Sequence, residues 1–179
     1  MAAAFGALAI EGAALATAMH FRSVQGEKIG QAFPLANFSV GGEAMIQAAA
    51  SSAGLRAIIS EGAGTRSVRE ALLYGWRGWL ALPEAAVQTA AVAVLSGTRP
   101  PRSLTELTPL IAPRPLLLVY AGRGGGGEEL TPQYFKAAGE PKMLWKIGEA
   151  KHVGGLQARP HEYENRIVGF FDDALLRKE

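Results

Sequence analysis

Ser39 stands in the run Phe38-Ser39-Val40-Gly41-Gly42-Glu43, with an apolar strand-like stretch before it and the Ala-rich stretch Ala44 to Ala50 behind it. Strand, small-residue turn and helix, with a serine at the turn, is the sequence form of a nucleophile elbow. Glycines suit such a turn because the backbone is strained there and the helix passes close to the strand. The helix N-terminus aims free N–H groups and its positive dipole end at the place where an oxyanion would form, which makes the Val40 N–H a candidate donor. A serine nucleophile needs a base and an acid to orient it, in the chain order Ser, acid, His. The apolar run Leu116 to Ala121 opens into Gly122 to Gly127 and then Glu128 and Glu129, and the next one, Met143 to Ile147, opens into Gly148-Glu149-Ala150-Lys151-His152. An acid after one strand and a histidine after the next complete the set, with either Glu128 or Glu129 as the acid.

Each of these residues also has a plain structural use. A serine before glycines is most often a turn or a helix cap, and a histidine among glycines is most often an ordinary loop residue. Register raises the chemical reading above the plain one, because all three types fall after strands in the required order. His161, next to Pro160 at a helix start, reads as solvated, and His20 has no supporting pattern. Glu43 sits where it would serve the dipole of the helix after the elbow, as Glu129 would for a later helix. Glu61, at the end of a strand, either lines the site or caps a helix. The run Gly122 to Gly127 matches GxGxxG only as any glycine run does, and Glu128 and Glu129 place negative charge where a pyrophosphate would bind, so a dinucleotide site is disfavoured. No GK[ST] is present, and three scattered histidines without a cysteine make no metal-ligand pattern, so neither a metal nor another cofactor is expected.

The positioning elements read as alternating strands and helices from Lys28 onward. Strands are expected at Phe33 to Phe38, Leu55 to Ser60, Leu116 to Ala121 and Lys142 to Ile147, and a helix at Gly42 to Ser51. Pro34 is an awkward residue for a central strand, since it has no N–H to donate. Residues 67 to 96 read as a long helical region interrupted near Pro83. Ser103 with Glu106 reads as a capping box, and Thr131 with Pro132 as an N-cap and first helical residue. The last helix opens at Pro160 with Tyr163, Ile167, Phe170, Phe171, Ala174 and Leu175 on one face. The alternation implies an α/β fold, a mainly parallel sheet with helices on both faces.

Four stretches together resemble the α/β-hydrolase superfamily, in its dienelactone-hydrolase-like, esterase-type branch. They are Ser39-Val40-Gly41-Gly42-Glu43, Ser60-Glu61-Gly62-Ala63-Gly64, the segment Ile111 to Leu118 leading into the acid strand, and His152-Val153-Gly154-Gly155. The resemblance covers residues 28 to 179 and only the C-terminal part of that fold, behind an Ala-rich leader at 1 to 27. It implies a serine hydrolase of esters or related acyl compounds, working through Ser39, His152 and Glu128 or Glu129 with the Val40 N–H at the oxyanion. It also implies a lid over 66 to 101 whose Trp76 and Trp79 shape the substrate pocket, with a packed core helix as the equal alternative. Asn37 replaces the usual first glycine of the elbow, and residues 1 to 27 show neither the preceding strands nor the loop that supplies a second oxyanion donor. Weak or absent turnover is therefore the expectation, with a non-catalytic binding module or an acyltransferase as the other readings. A sheet cut beside the nucleophile strand is expected to self-associate through that edge.

Composition sets outer bounds. The chain has 179 residues, 49% of them hydrophobic and 19% charged, which suffices for one globular core. A net charge of +2, from 18 basic and 16 acidic residues scattered without a stripe, argues against a nucleic-acid partner. The absence of cysteine fits a cytoplasmic protein. Residues 1 to 19 have no basic residue and little real hydrophobicity, so neither a secretory signal nor a stable membrane insertion is expected there.

Overall fold

The computed structural model describes residues 33–38, 40–97, 99–125 and 127–176. The leader at 1 to 27, His20 and Ser39 lie outside the described residues. Among the described residues four parallel strands make one sheet in chain order: β1 (Phe33–Phe38), β2 (Leu55–Glu61), β3 (Leu116–Arg123) and β4 (Lys142–Lys151). Each crossover carries helix. Helix α1 (Val40–Ser51) joins β1 to β2, and α2 (Val68–Ala71), α3 (Trp76–Ser96) and α4 (Leu104–Leu107) lie between β2 and β3. Helix α5 (Thr131–Ala137) joins β3 to β4, and α6 (Gly155–Ala158) and α7 (Pro160–Leu175) follow β4.

Ala57 to Ile59 of β2 and Leu116 to Val119 of β3 are apolar and buried on both faces, as the central strands of a covered parallel sheet require, whereas β4 alternates buried apolar and exposed polar residues. Side chains alternate along them, so Ile58, Leu116 and Leu118 join Met45, Ile46 and Ala49 of α1, Leu104 and Leu107 of α4 and Tyr134 of α5 in one core. Ala57, Ile59, Leu117, Val119, Trp145 and Ile147 face the other way, onto Tyr163, Ile167 and Phe170 of α7. Each large side chain buried in this way contributes about 1.5–3 kcal/mol relative to exposure. Arg114 ties the layers together at the lower end of the sheet. Its guanidinium donates to the carbonyls of Ala49 at 2.7 Å, Ser52 at 2.6 Å and Ile111 at 2.9 Å, covering the C-terminal end of α1 where carbonyls lack helical partners.

Several boundaries differ from the sequence reading. Pro34 is accommodated because the β1–β2 register shifts between Phe33 and Pro34. The long helical region breaks at Gly75, whose φ of 62° is a glycine conformation, and Pro83 lies inside a continuous α3. Pro83 deprives the Trp79 carbonyl of its helical partner, but Trp79 is on the exposed side, where water can serve. Thr131 is the first residue of α5 rather than its cap, because a 3-10 turn at Glu128–Leu130 runs straight into the helix. Ser103 does cap α4, accepting from the Thr105 N–H, but Glu106 pairs with Arg69 and Arg102 and does not close a capping box. Strand β4 continues to Lys151 through a register irregularity opposite Gly122. A Cβ on Gly122 would stand 2.3 Å from the Gly148 carbonyl oxygen, so glycine permits that crossing.

Candidate active site

Ligand sites of parallel α/β sheets lie beyond the C-terminal ends of the strands, and the chemistry-bearing residues collect there. Strand β1 ends at Phe38 and α1 begins at Val40, the two separated by the single residue Ser39. Phe38 pairs with Glu61, the last residue of β2. Glu128 follows β3 and His152 follows β4.

The structure brings Glu128 and His152 into direct contact, with Glu128 Oε1 hydrogen-bonded to His152 Nδ1. The other carboxyl oxygen, Oε2, accepts the Ala121 N–H at 2.7 Å, so both oxygens are engaged. Glu128 is 1% exposed, whereas the His152 side chain is 43% exposed. A carboxylate at Nδ1 assigns the proton to that nitrogen and leaves Nε2 as the acceptor, the tautomer a general base requires. Glu129, the other candidate acid, is exposed and interacts with Tyr74. The pair is thus Glu128 with His152, because Gly127, at φ 103°, turns the chain so that the first glutamate enters the protein and the second leaves it.

Glycines let the backbone close on this pair. A Cβ on Gly62 would lie 3.3 Å from Glu128 Oε1 and 3.4 Å from His152 Cε1, and one on Gly124 would lie 2.8 Å from the Glu128 carboxyl. His152 occupies a tight turn in which the Gly154 N–H donates to the Lys151 carbonyl at 2.8 Å. The next residue, Val153, has φ 54°. A β-branched side chain in the left-handed region is rare and costs about 1–3 kcal/mol, which the surroundings must over-determine.

The neighbouring loop after β2 is held from several sides. Glu43 Oε1 accepts the Gly64 N–H at 3.1 Å, Tyr134 donates its hydroxyl to the Gly64 carbonyl at 2.8 Å, and Gly127 packs against Thr65. Burial raises the Glu43 carboxyl above its ordinary value, and burial together with nearby acidic groups pushes the Tyr134 hydroxyl up as well. Two buried carboxylates do structural work that the sequence reading left open or missed. Glu61 accepts from Gly155 N–H and Tyr163 O–H. Glu70 accepts from the Arg66 and Leu104 N–H groups and from Ser103 Oγ, joining α2 to α4. The legible signal for Glu70 was a Ser67-to-Glu70 spacing, since its Oε2 also takes the Ser67 N–H at 2.9 Å.

The expected pocket residues are placed otherwise. Trp76 and Trp79 are 69% and 66% exposed on the outer side of α3, and neither lines the concavity beside it. That concavity, of about 390 Å³, is lined by Thr65, Ala71, Tyr74, Gly78 and Ala81 among others. Helical spacing explains the exchange, because Gly78, Ala81 and Ala85 of α3 recur on one side while Trp76, Trp79 and Leu80 fall on the opposite one. Among the described residues no group of acidic, histidine or cysteine side chains has the geometry to hold a metal. The stretch Trp76–Leu95 is long and apolar enough to cross a membrane by length and composition, with mean hydropathy 1.3 and 6% of it buried.

The sequence matches no family model and no curated protein. Solved structures do match. An α/β hydrolase, GrgF, from Penicillium sp. sh18 superposes with a TM-score of 0.61 at 16% identity, over 92% of this chain and 73% of that one. An esterase of Pyrococcus furiosus gives 0.57 at 17% identity, over 82% of this chain and 55% of its own. The esterase domain of a Rhodothermus marinus protein gives 0.51 at 22% identity, over 88% and 66%. This chain therefore spans between 55% and 73% of the length of these structures. Its described sheet and crossovers have the fold of these α/β hydrolases.

Proposed function

We propose that the chain is a serine hydrolase of esters or related acyl compounds, with Ser39 as nucleophile, His152 as base and Glu128 as the acid that orients it. The contact between buried Glu128 and half-exposed His152, beyond the C-terminal ends of β3 and β4, carries this reading. In the proposed reaction Ser39 Oγ attacks the substrate carbonyl while His152 Nε2 takes its proton. The Val40 N–H, at the start of α1, donates to the oxyanion. Collapse expels the alcohol, which His152 protonates, and leaves an acyl-serine. Water, deprotonated by His152, then releases the carboxylic acid and restores the serine. Glu128 holds the imidazole in the Nδ1–H tautomer. The concavity at Thr65, Tyr74 and Gly78 is the proposed acyl or alcohol pocket, since it opens from the loop that packs against Gly127.

Hydrolysis of p-nitrophenyl acetate tests the proposal: turnover is expected from the native chain and none above background from Ser39→Ala or His152→Asn. An acyltransferase would form the same acyl-serine and pass it to an alcohol, so a product that appears only when an acceptor alcohol is added would replace hydrolysis with transfer. The large apolar side chains exposed along α3 favour a second reading, a contact surface that serves binding rather than turnover. An inactive chain that self-associates through α3 or the β1 edge would favour it.

A further inference from the structure

The mechanism above leaves Glu61 unused, although it is 2% exposed at the same strand-end surface. Both oxygens of its carboxyl point at donors on the far side of His152: Oε1 accepts the Gly155 N–H at 3.0 Å, and Oε2 accepts the Tyr163 hydroxyl at 2.6 Å. The approach is as close as the chain allows, since a Cβ on Gly155 would stand 2.8 Å from Glu61 Oε1 and 2.9 Å from the Tyr163 ring. Upstream, Gly154 donates back to Lys151 at 2.8 Å. His152 and Val153 are therefore strung between two fixed points, and Val153 is held at φ 54°, which a valine leaves when released. The residue after Glu61, Gly62, passes under the imidazole and the Glu128 carboxyl.

We propose that Glu61 is a positioning residue: by anchoring Gly155 and Tyr163 it clamps the strained His152–Val153 turn and so keeps the imidazole on Glu128. The idea rests on the hydrolase reading for its effect on turnover, but not for its effect on the imidazole. The ionisable groups around Glu61 are Glu128 after β3, His152 after β4 and Tyr163 on α7, and burial is the largest influence raising its carboxyl. A carboxyl placed only to fill space would not need two convergent donors from two different elements.

Glu61→Gln keeps the size and one acceptor but cannot accept from both donors, and Tyr163→Phe removes one donor. Kinetics on p-nitrophenyl acetate should show kcat lowered about 10- to 100-fold in Glu61→Gln, because sub-ångström loss of aim is costly in rate, with KM within about threefold of the native value. Tyr163→Phe should show the same split in weaker form. Val153→Asn is the discriminating variant, since asparagine tolerates the left-handed conformation. In that background the turn holds itself, so Glu61→Gln should lose less than about half as much on a logarithmic scale, a coupling that a double-mutant cycle measures. Nitrogen NMR of the His152 ring gives a readout without turnover: a single Nδ1–H tautomer in the native chain and a mixture in Glu61→Gln. If the native chain is inactive yet shows this tautomer change, the hydrolase reading fails and the clamp stands. If Glu61→Gln lowers only thermal stability, with native kcat and native tautomer, the clamp is wrong, and additive losses with Val153→Asn would also overturn it.

Discussion

The turn that carries His152 and the helix α3 meet solvent in opposite ways. Around the turn both buried carboxylates have partners: Glu128 is fixed by Ala121 and His152, Glu61 by Gly155 and Tyr163, and glycines at 62, 124 and 155 admit these approaches. Along α3, by contrast, Trp76, Trp79, Leu80, Val87, Val94 and Leu95 are largely exposed, and among the described residues the helix is in contact mainly with α2 and the 3-10 turn at Leu72–Tyr74. The first region is over-determined by short polar contacts that converge from separate strands. Among the described residues the second has far fewer such contacts. Function that needs aim belongs to the first, and substitutions in the two regions should behave differently.

The largest expected effect follows from the two adjacent glutamates. Glu128→Gln should lower kcat by about 10⁴-fold, since the imidazole loses the tautomer that makes it a base. Glu129→Gln should stay within about twofold of native, being a surface change. Equal effects from the two would remove the Glu128–His152 contact from the account.

Much of this was legible because the polar signals were local. The glutamates after a glycine run and the histidine after a strand appear within short stretches, as does the α7 face built on Tyr163, Ile167 and Phe170. What escaped depends on where distant segments meet. Nothing near Glu61 in the sequence announces Gly155 and Tyr163, and nothing near Glu106 announces Arg69, so one was left between two roles and the other was given a capping role it does not fill. Which side of α3 the tryptophans take depends on how it rests against Ala71 and Tyr74. Gly78 shows that contact, where a Cβ would meet the Ala71 carbonyl oxygen at 1.8 Å.

The contrast extends to stability. Removing the fully buried Glu70 carboxyl by Glu70→Ala strands several donors and should destabilise the fold by about 3 kcal/mol in urea titrations. A native-like midpoint would show that α2 and α4 are not joined as described. Glu43 supplies a smaller, pH-dependent change. Its carboxyl is raised by burial, so the folded chain holds that proton more tightly than the unfolded one. Its contribution to stability is accordingly full below about pH 4.5 and is lost as the pH rises through the raised value. Glu43→Gln keeps an acceptor for Gly64 and should gain on the native chain as the pH climbs from acid to neutral. A difference that is flat across that range would contradict the burial of Glu43. The smallest effect belongs to α3: Leu80→Gln and Val94→Gln should change stability by no more than about 0.5 kcal/mol while lowering binding of a hydrophobic dye. A large loss of stability would mean that this side of the helix is covered.

The central claim, that a serine at the β1–α1 junction is activated by the Glu128–His152 pair, is tested most directly by a fluorophosphonate probe followed by peptide mapping. The account predicts a single adduct on Ser39, absent in Ser39→Ala and strongly slowed in His152→Asn. An adduct on another residue, or labelling of the alanine variant at the native rate, would contradict it.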